Sequence, residues 1–554
     1  PDDYWLKGIE IVGSRKHSGQ FALEAKEIQA LPSVGGEPDL MKSLQFLPGV
    51  QSGNEGANNI SVRGSNQWGN LVLLDEAVVY NPSHVLSFFS VFNNDAIREV
   101  NLYKSFFPLK YGGRSSSVID VRMREGNSKE RERSASLGLI ASKVLLEGPL
   151  KKKEGSYLLS GRFGYPGVVA GLLGSNLTSK PQMWFYDVNA KVNRTLDARN
   201  RMFFSLYSGG DHTVFNKLVK GYGMDWGNAT ATIRWNHILN DKTNVNTSAV
   251  FSNYYYKYKS LSDGLRYVWK SNMQSYQLKS DWERYQNNLL TLKGGVNLHY
   301  FTTMPGEVGK SGKDSNITPS QMPRKSLWDA ALYAEANYKF LPRFLLNAGV
   351  RLSVLHAPAS AYYAAKTFVM PEPRAELSFI PNASHRFSAS YTQAAQSIHM
   401  LTTSSVGIPS DMWMPANALL KPSVMRQLAL GYEYNFPDKE YTLSLEAYMR
   451  RTSHVVDYRK NADIFQNDWI EDEVETGSAR GCGLEFYLSK NKGAVTGWIS
   501  YTLSRARNRI GGEEYRPVYD RPHNLKLFVN WEMNRHWSLS STFSYASGIN
   551  LTLP

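Results

Sequence analysis

The stretch Tyr441–Arg450, YTLSLEAYMR, alternates between two kinds of side chain. Its odd-numbered positions are Tyr, Leu, Leu, Ala and Met, whereas Thr442, Ser444, Glu446 and Arg450 lie among the even-numbered ones. Successive side chains of a β-strand point to opposite faces, so this pattern predicts a strand with one apolar face and one wet face.

The same alternation fills the chain from about Ser134 onward, with connections of two kinds. Tight polar breaks occur at Asp197 to Asn200, Asn240 to Lys242, Tyr285 to Asn288, Leu341 to Arg343, Asn382 to His385, Phe436 to Glu440, Asn491 to Gly493 and Asn534 to His536. Long connections lie between them, at Asp211 to Asp225, Met304 to Ser326, Gln396 to Pro422 and Asp457 to Thr476. Outer-membrane barrels have short periplasmic turns and longer outer loops, so residues 131–554 are predicted to form a transmembrane β-barrel of about nineteen strands, each of about 10 to 15 residues.

The composition excludes a bundle of membrane helices. Hydrophobic residues make up 42% of the 554 residues, and the mean hydropathy is -0.40. The best apolar run, Gly167 to Gly174, is under half of the roughly 18 residues that a spanning helix needs, and no helix is predicted after Ser134. A formal charge of +14 is compatible with nucleic acid, anionic lipid or an anionic ligand. Because the Lys and Arg residues are dispersed, no nucleic-acid partner is predicted.

Residues 17–130 follow a different pattern and are predicted to form a compact α+β domain. A short helix is expected over Pro38 to Leu47, with Pro38 at its first position. Short strands are expected at Ile60 to Arg63, Leu71 to Leu74, Val100 to Tyr103 and Val118 to Met123, separated by Gly, Asn and Ser.

No motif of an enzyme active site is present. The sequence contains no Gly-x-Ser-x-Gly, no His-Glu-x-x-His, no phosphate-binding loop and no Cys/His cluster with zinc spacing. We therefore predict a protein that is not an enzyme, with no catalytic residues, no metal site and no cofactor.

Six segments, in order, resemble the plug signature of the TonB-dependent receptors. They are Leu47-Pro48-Gly49-Val50, Ser61-Val62-Arg63-Gly64, Leu73-Leu74-Asp75, Tyr80-Asn81-Pro82-Ser83-His84, Phe92-Asn93-Asn94-Asp95-Ala96-Ile97 and Tyr111-Gly112-Gly113-Arg114. They are most similar to the Bacteroidota branch, whose members carry a carboxypeptidase-regulatory-like domain ahead of the plug. The resemblance implies a plug inside the lumen of a 22-stranded barrel, so three further strands are expected beyond Pro554.

The resemblance also implies a function and partners. We expect an integral protein of the bacterial outer membrane, surrounded by its lipids, that imports a scarce ligand. Siderophore, cobalamin, peptide and glycan classes are not resolved by the sequence. The expected partners are TonB and its inner-membrane energising complex, and a surface lipoprotein lid has no marker in this sequence. The alternative is a passive porin, or a barrel used in secretion or adhesion.

The signature residues Arg63, Gly64, Asp75, Gly112, Gly113 and Arg114 have physical roles to fill. Gly112 and Gly113 suit a bend or a positive φ, and Arg63 and Arg114 are expected to bridge the plug to acidic wall residues or to stay solvated in a wet lumen. Glu76 departs from the family, which usually has Gly after the Asp, and this leaves the geometry of the turn open.

Two more sets of residues are proposed from the resemblance. Ile9, Glu10, Ile11 and Val12 resemble the TonB box, within residues 1–16, although they could be the first plug strand. The plug connections that the family directs outward supply the candidate ligand residues Glu55, Gln67, Trp68, Tyr80 and His84. Trp68 either stacks on a sugar or chelate face, or packs against the inner barrel wall and holds the plug.

Overall fold

A computed structural model describes residues 17–32, 35–52, 57–151, 154–173, 182–215, 221–260, 266–312, 315, 317–402, 412–438, 440–464 and 467–550. In these residues the chain forms a small α+β domain and one large antiparallel sheet. None of the described helices has the length and apolar character needed to cross a membrane.

The plug domain is built from short elements. They are β1 (Gln20–Glu24), α1 (Ala25–Ala30), α2 (Leu40–Gln45), β2 (Val50–Ser52), β3 (Ile60–Val62), β4 (Leu71–Leu74), β5 (Ala77–Val78), β6 (Ser83–His84), β7 (Phe89–Ser90), β8 (Ile97–Tyr103) and β9 (Val118–Met123). Five of them form a sheet in the order β1-β8-β9-β4-β5, in which β4 and β9 are parallel. Apolar residues such as Ile28, Leu44, Val100 and Ile119 pack in its core. The four predicted strands and the α+β class are confirmed.

The predicted helix is present but shorter than expected. Asp39 is its N-cap, with a side-chain oxygen that accepts from the Lys42 amide at 2.9 Å. Pro38 therefore precedes the helix and does not occupy its first turn. A capping carboxylate satisfies an amide that the first turn leaves unpaired, and this fixes the start of the helix at Leu40, two residues later than predicted.

The large sheet follows in sequence order from β10 to β32, apart from one loop hairpin. Its strands are β10 (Glu132–Leu137), β11 (Ala141–Pro149), β12 (Gly155–Gly164), β13 (Gln182–Thr195), β14 (Asn200–Phe215), β15 (Tyr222–Asn240), β16 (Thr243–Ser260), β17 (Tyr267–Asn287), β18 (Leu290–Lys310), β19 (Ser320–Gln321), β20 (Lys325–Leu341), β21 (Phe344–Ala357), β22 (Lys366–Phe379), β23 (His385–Gln396), β26 (Ser423–Asn435), β27 (Tyr441–Tyr458), β28 (Val474–Lys490), β29 (Val495–Ile510), β30 (Glu513–Tyr515), β31 (His523–Glu532) and β32 (Ser538–Ala546). The hairpin consists of β24 (Ile398–Leu401) and β25 (Met412–Pro415).

The predicted architecture is confirmed for the described part of the chain. Setting aside the short β19 and β30, nineteen long strands remain, and the eight tight breaks fall between consecutive strands. We call the end of the barrel with the tight turns the inner end and the opposite one the outer end. Closure at 22 strands stays a prediction.

Two expectations about the wall were wrong. Several strands exceed 10 to 15 residues, and β17 and β18 reach 21 because each continues to pair with its neighbour beyond the membrane-length segment. The chain after Ser134 is not free of helix either, since Pro166–Leu173 forms α3 in the connection between β12 and β13. The adjacent apolar residues Val168 and Val169 break the alternation that a strand would show.

The wall has an apolar outside and a polar lumen. On β20, β26 and β27, Leu332, Leu430 and Met449 are more than half exposed, whereas Asp329, Glu335 and Glu446 are buried on the other face. The plug fills this lumen, because its residues bond to wall strands from β12 round to β31. Alternation in the sequence therefore separates lipid-facing from plug-facing positions.

Candidate functional site

Three aromatic side chains meet on the outer side of the plug. The Trp68 ring lies 5.9 Å from the Trp413 ring at 81°, and the Tyr80 ring lies 5.6 Å from it at 67°. Trp68 is presented by a 3-10 turn, Gln67–Gly69, in which the Asn66 side chain accepts from the Trp68 amide at 3.0 Å. Trp413 belongs to β25, in the long connection between β23 and β26. We call Trp68, Tyr80 and Trp413 the aromatic patch.

A small cavity lies beside the aromatic patch. Its volume is about 30 Å³, and Gln67 and Arg114 line it together with the three aromatic residues. The Arg114 guanidinium lies 4.9 Å from the Trp413 ring centre, a cation–π distance. The structure thus brings together three of the candidate ligand residues, Gln67, Trp68 and Tyr80. Trp68 contacts an outer connection, and its predicted role toward a ligand stays a prediction.

His84 lies elsewhere, in a buried contact with the wall. Its Nδ1 is 2.6 Å from Asp211 Oδ2, and its Nε2 is 2.8 Å from Asp187 Oδ1. Arg162 makes a further contact to Asp187 at 2.6 Å. We call this arrangement the His84 clamp. Both ring nitrogens are engaged, so this imidazole presents no nitrogen to the outer face of the plug.

The backbone after His84 is strained. Val85, Leu86 and Ser87 all have positive φ, at 49°, 53° and 77°. Residues with a Cβ adopt this region at a cost of about 1 to 2 kcal/mol each. Asp211 supports the turn, because its Oδ1 accepts from the Val85 amide at 2.8 Å. One wall carboxylate therefore fixes both the ring of His84 and the turn that follows it.

Arg63 ties the plug to the opposite part of the wall. Its Nε is 2.8 Å from Glu485 Oε1, and its Nη2 is 2.9 Å from Glu446 Oε1. The Lys104 ammonium is 2.5 Å from Glu485 Oε2. Although burial alone would lower the pKa of Arg63, Glu446 and Glu485 raise it. The predicted bridge from Arg63 to acidic wall residues is confirmed.

Asp75 and Glu76 occupy the turn between β4 and β5. Both have positive φ, at 45° and 78°, so Glu76 adopts the conformation that Gly would favour. Its carboxylate lies 2.9 Å from the Lys279 ammonium, and Asp75 lies 2.8 Å from that of Lys191. Contacts with the wall therefore stabilise Glu76 in a backbone conformation that favours the glycine usual in the family.

Gly112 and Gly113, which precede Arg114, suit their positions for different physical reasons. Gly113 has a φ of 80°, as predicted for a bend. Gly112 does not need a positive φ, but a Cβ there would lie 2.4 Å from Arg351 Nε. Gly64 also has a positive φ, 65°. The expectation that Arg114 bridges the plug to an acidic wall residue was wrong. Among the described residues, no carboxylate lies within ion-pair distance of Arg114.

Some predicted residues cannot be placed, and some partners were missed. Ile9, Glu10, Ile11 and Val12 lie outside the described residues, as does Glu55. Sequence reasoning did not single out Asp187, Asp211 or Glu485. A signal was available, because each is an acid on the lumen-facing side of an alternating strand. Trp413 had no such signal, since it lies within a long connection.

Two family models match the chain. The model "TonB dependent receptor-like, beta-barrel" matches residues 172–552, and "TonB-dependent Receptor Plug Domain" matches residues 22–118. No curated protein has a significant sequence match to the chain.

Solved structures share the fold at low sequence identity. The copper transporter OprC has 14% identity, covers 96% of this chain and 85% of its own, and has a TM-score of 0.71. The ferric yersiniabactin uptake receptor FyuA from Yersinia pestis has 13% identity, with 95% and 85% coverage and a TM-score of 0.71. The siderophore receptor PirA from Pseudomonas aeruginosa has 14% identity, with 96% and 92% coverage and a TM-score of 0.68.

Proposed function

Because the chain belongs to the TonB-dependent receptors, we propose that it imports a scarce ligand across the bacterial outer membrane, driven by the inner-membrane proton-motive force. The family and its fold are those of transporters and not of enzymes. TonB and its energising complex are the proposed partners on the inner side. Outer-membrane lipids are proposed to cover the apolar face that carries Leu332 and Leu430.

One observation carries the proposal: a folded domain fills the lumen and is fixed there by buried ion pairs. Arg63 with Glu446 and Glu485 holds one side, and the His84 clamp holds another. A passive porin, or a barrel for secretion or adhesion, gains nothing from a lumen closed in this way. A transporter needs the closure, because it must admit one ligand without opening a general pore.

The start of the described chain is suited to transmit a pull. Ser18 N donates to Glu376 Oε1 at 3.1 Å, and Ser18 Oγ donates to Glu446 Oε1 at 3.4 Å. These contacts lie a few residues after Ile9 to Val12, the proposed TonB box, and just before edge strand β1. A segment that adds a strand to TonB resists a pull through main-chain hydrogen bonds. The pull would then reach the Glu446 contacts of Arg63.

The outer face of the plug is the proposed ligand site. Gln67, Trp68 and Tyr80 lie together there, and an indole or phenol ring can stack on a sugar or chelate face. The similar structures are those of a copper transporter, a siderophore receptor and a ferric yersiniabactin uptake receptor. We propose the same broad range for this chain, with cobalamin, peptide and glycan classes also open. Membership of the Bacteroidota branch, and with it a lipoprotein lid, is proposed on the motifs alone.

Uptake by cells that carry altered boxes tests the import. Ile11→Pro removes an amide and breaks an extended strand, so growth on the limiting nutrient should be lost while ligand binding to intact cells is unchanged. Ile11→Ala keeps the backbone and is the matched control, which should grow. Deletion of Ile9 to Val12 should behave like the proline variant.

Survival of uptake after that deletion would refute the assignment of the box. Free passage of small sugars in a liposome swelling assay would instead favour the porin. The two results separate an error in the segment from an error in the function.

A further inference from the structure

The guanidinium of Arg114 has few acceptors in the part of the chain that the structure describes. The side chain is 7% exposed, and its one hydrogen bond within the described residues runs from Nη1 to the neighbouring Gly113 carbonyl at 3.1 Å. The Trp413 ring covers its face. A buried cation is costly unless its charge is paired and its N–H groups are bonded, so this arrangement calls for a partner.

Two other buried arginines of the lumen show what a satisfied group looks like. Arg374 Nη1 donates to the Phe107, Pro108 and Tyr111 carbonyls at 2.9 to 3.1 Å, and its Nη2 donates to Glu372. Arg450, like Arg114, has no acid partner among the described residues, but its three nitrogens donate to Gln427 Oε1, the Val62 carbonyl and the Ser116 carbonyl. Neutral acceptors can therefore satisfy a guanidinium in this lumen, whereas Arg114 has only the Gly113 carbonyl among the described residues.

Among the buried polar atoms of the cavity beside Arg114 that have no partner within the described residues, donors outnumber the one acceptor, Gln67 Oε1. Trp68 and Trp413 line it, and each has a buried indole N–H without a partner among the described residues. Tyr80 also lines it, and burial raises the pKa of this phenol to about 12, so Tyr80 stays neutral and cannot supply the counter-charge. Donor groups and one uncompensated positive charge favour an anion.

The size of the cavity limits what that anion can be. Its volume of about 30 Å³ is larger than the roughly 10 to 15 Å³ that one water needs. It is far below the roughly 300 Å³ or more of a site that encloses a whole small-molecule ligand. One monatomic ion fits, and so does the end of a carboxylate.

We propose that this cavity is a small-anion site, in which the Arg114 guanidinium pairs with one monovalent anion under the Trp413 ring. The anion is either a free halide or the carboxylate end of a larger molecule. The inference goes beyond the proposed import, because the site forms between the plug and the β24–β25 hairpin and needs neither TonB nor uptake.

The purified full chain in detergent micelles allows a direct test. The apparent unfolding temperature is measured in chloride, bromide and acetate, at constant ionic strength balanced with methanesulfonate, which carries no carboxylate and is bulkier than the halides. A bound anion should raise the midpoint by about 1 to 3 °C above the value in methanesulfonate. If the unfolding temperature is higher in chloride and bromide but not in acetate, the occupant is a free halide. If it is also higher in acetate, a carboxylate can occupy the site.

Two variants make the test specific. Arg114→Met keeps the length of the side chain but removes the charge, and it should abolish the differences among the anions. Arg450→Met removes an equally buried cation that neutral acceptors already satisfy, and it should keep those differences even if the protein is less stable.

Crystals of the unaltered protein give a second readout that does not depend on a variant folding. Bromide should produce an anomalous peak within hydrogen-bond distance of the Arg114 guanidinium, or acetate should produce density there. The proposal is overturned if neither anion is found, or if the anion response survives in Arg114→Met. Neither result would bear on the import itself, which is measured in cells.

Discussion

At the scale of single residues, His84 shows how the wall fixes the charge of a plug side chain. Burial alone would lower the pKa of His84, but the carboxylates of Asp187 and Asp211 outweigh it and raise the pKa to about 9. The imidazole is therefore charged near neutral pH. Arg162 and Tyr207 also bond to Asp187, so the clamp belongs to a larger buried network.

This pKa predicts a pH dependence with a definite sign. A group whose folded-state pKa is raised contributes its full stabilisation below its unfolded value of 6.5 and loses it as the pH rises through about 9. The loss should reach about 3 kcal/mol for the plug. Unfolding of the plug is followed as conductance in planar bilayers. The urea concentration at its midpoint should decrease as the pH is raised from 6.5 to 9.5.

His84→Gln should remove most of that pH dependence and lower the urea midpoint at every pH, because buried Asp211 loses its cation and Asp187 keeps only Arg162. His212→Gln is the matched control. His212 pairs with Asp225 at 2.6 Å, but both side chains are about one third exposed, so the transition near pH 9 should persist. A transition that persists in His84→Gln would contradict the assignment to this residue.

At the scale of elements, the β24–β25 hairpin covers the outer face of the plug. Met400 and Trp413 are cross-strand neighbours in it, and Trp413 contacts Trp68, Tyr80 and Arg114. Each strand of the hairpin has only four residues, which gives the hairpin little stability of its own. Its position therefore depends on these plug contacts.

Trp413→Ala should loosen this contact. Two aromatic pairs are lost, which should cost about 1 to 3 kcal/mol, and the Trp68 indole should become more accessible to acrylamide. The contribution of Trp68 is isolated as the difference in quenching between proteins with and without Trp68→Phe. Trp413→Phe keeps a ring in place and should behave like the unaltered protein. Unchanged quenching of Trp68 in Trp413→Ala would show that the hairpin does not cover it.

At the scale of the whole molecule, the sequence predicts the wall better than the contacts inside it. A strand such as Tyr441–Tyr458 is predictable because period-two alternation is a local property of ten residues. The bridge from Arg63 to Glu485 joins residues more than four hundred positions apart, and alternation can say only that Glu485 faces the lumen. The β24–β25 hairpin was missed because it pairs with itself inside a connection that has no alternation.

The barrel wall and the plug are also stabilised by different kinds of interaction. The wall is a continuous antiparallel ladder from β10 to β32, in which each inner strand pairs on both sides. The plug is held by short elements and by polar contacts such as Arg63 with Glu485 and Lys279 with Glu76. Urea solvates peptide and polar groups, so the plug should unfold well before the barrel.

The full chain in a planar bilayer should therefore conduct little, and moderate urea should raise its conductance reversibly as the plug unfolds. Glu485→Ala leaves Arg63 and Lys104 short of a buried partner, which typically costs about 3 to 5 kcal/mol. With a urea dependence of about 1 to 3 kcal/mol per molar for a domain of this size, the opening midpoint should fall by roughly 1 to 5 M. Glu99→Ala is the matched control, because it breaks an exposed plug pair with Arg98 and should move the midpoint by less than about 0.5 M. Equal midpoints for the two variants would mean that the buried pair does not hold the plug, and conductance that rises only when the barrel itself unfolds would mean that plug and wall form one cooperative unit.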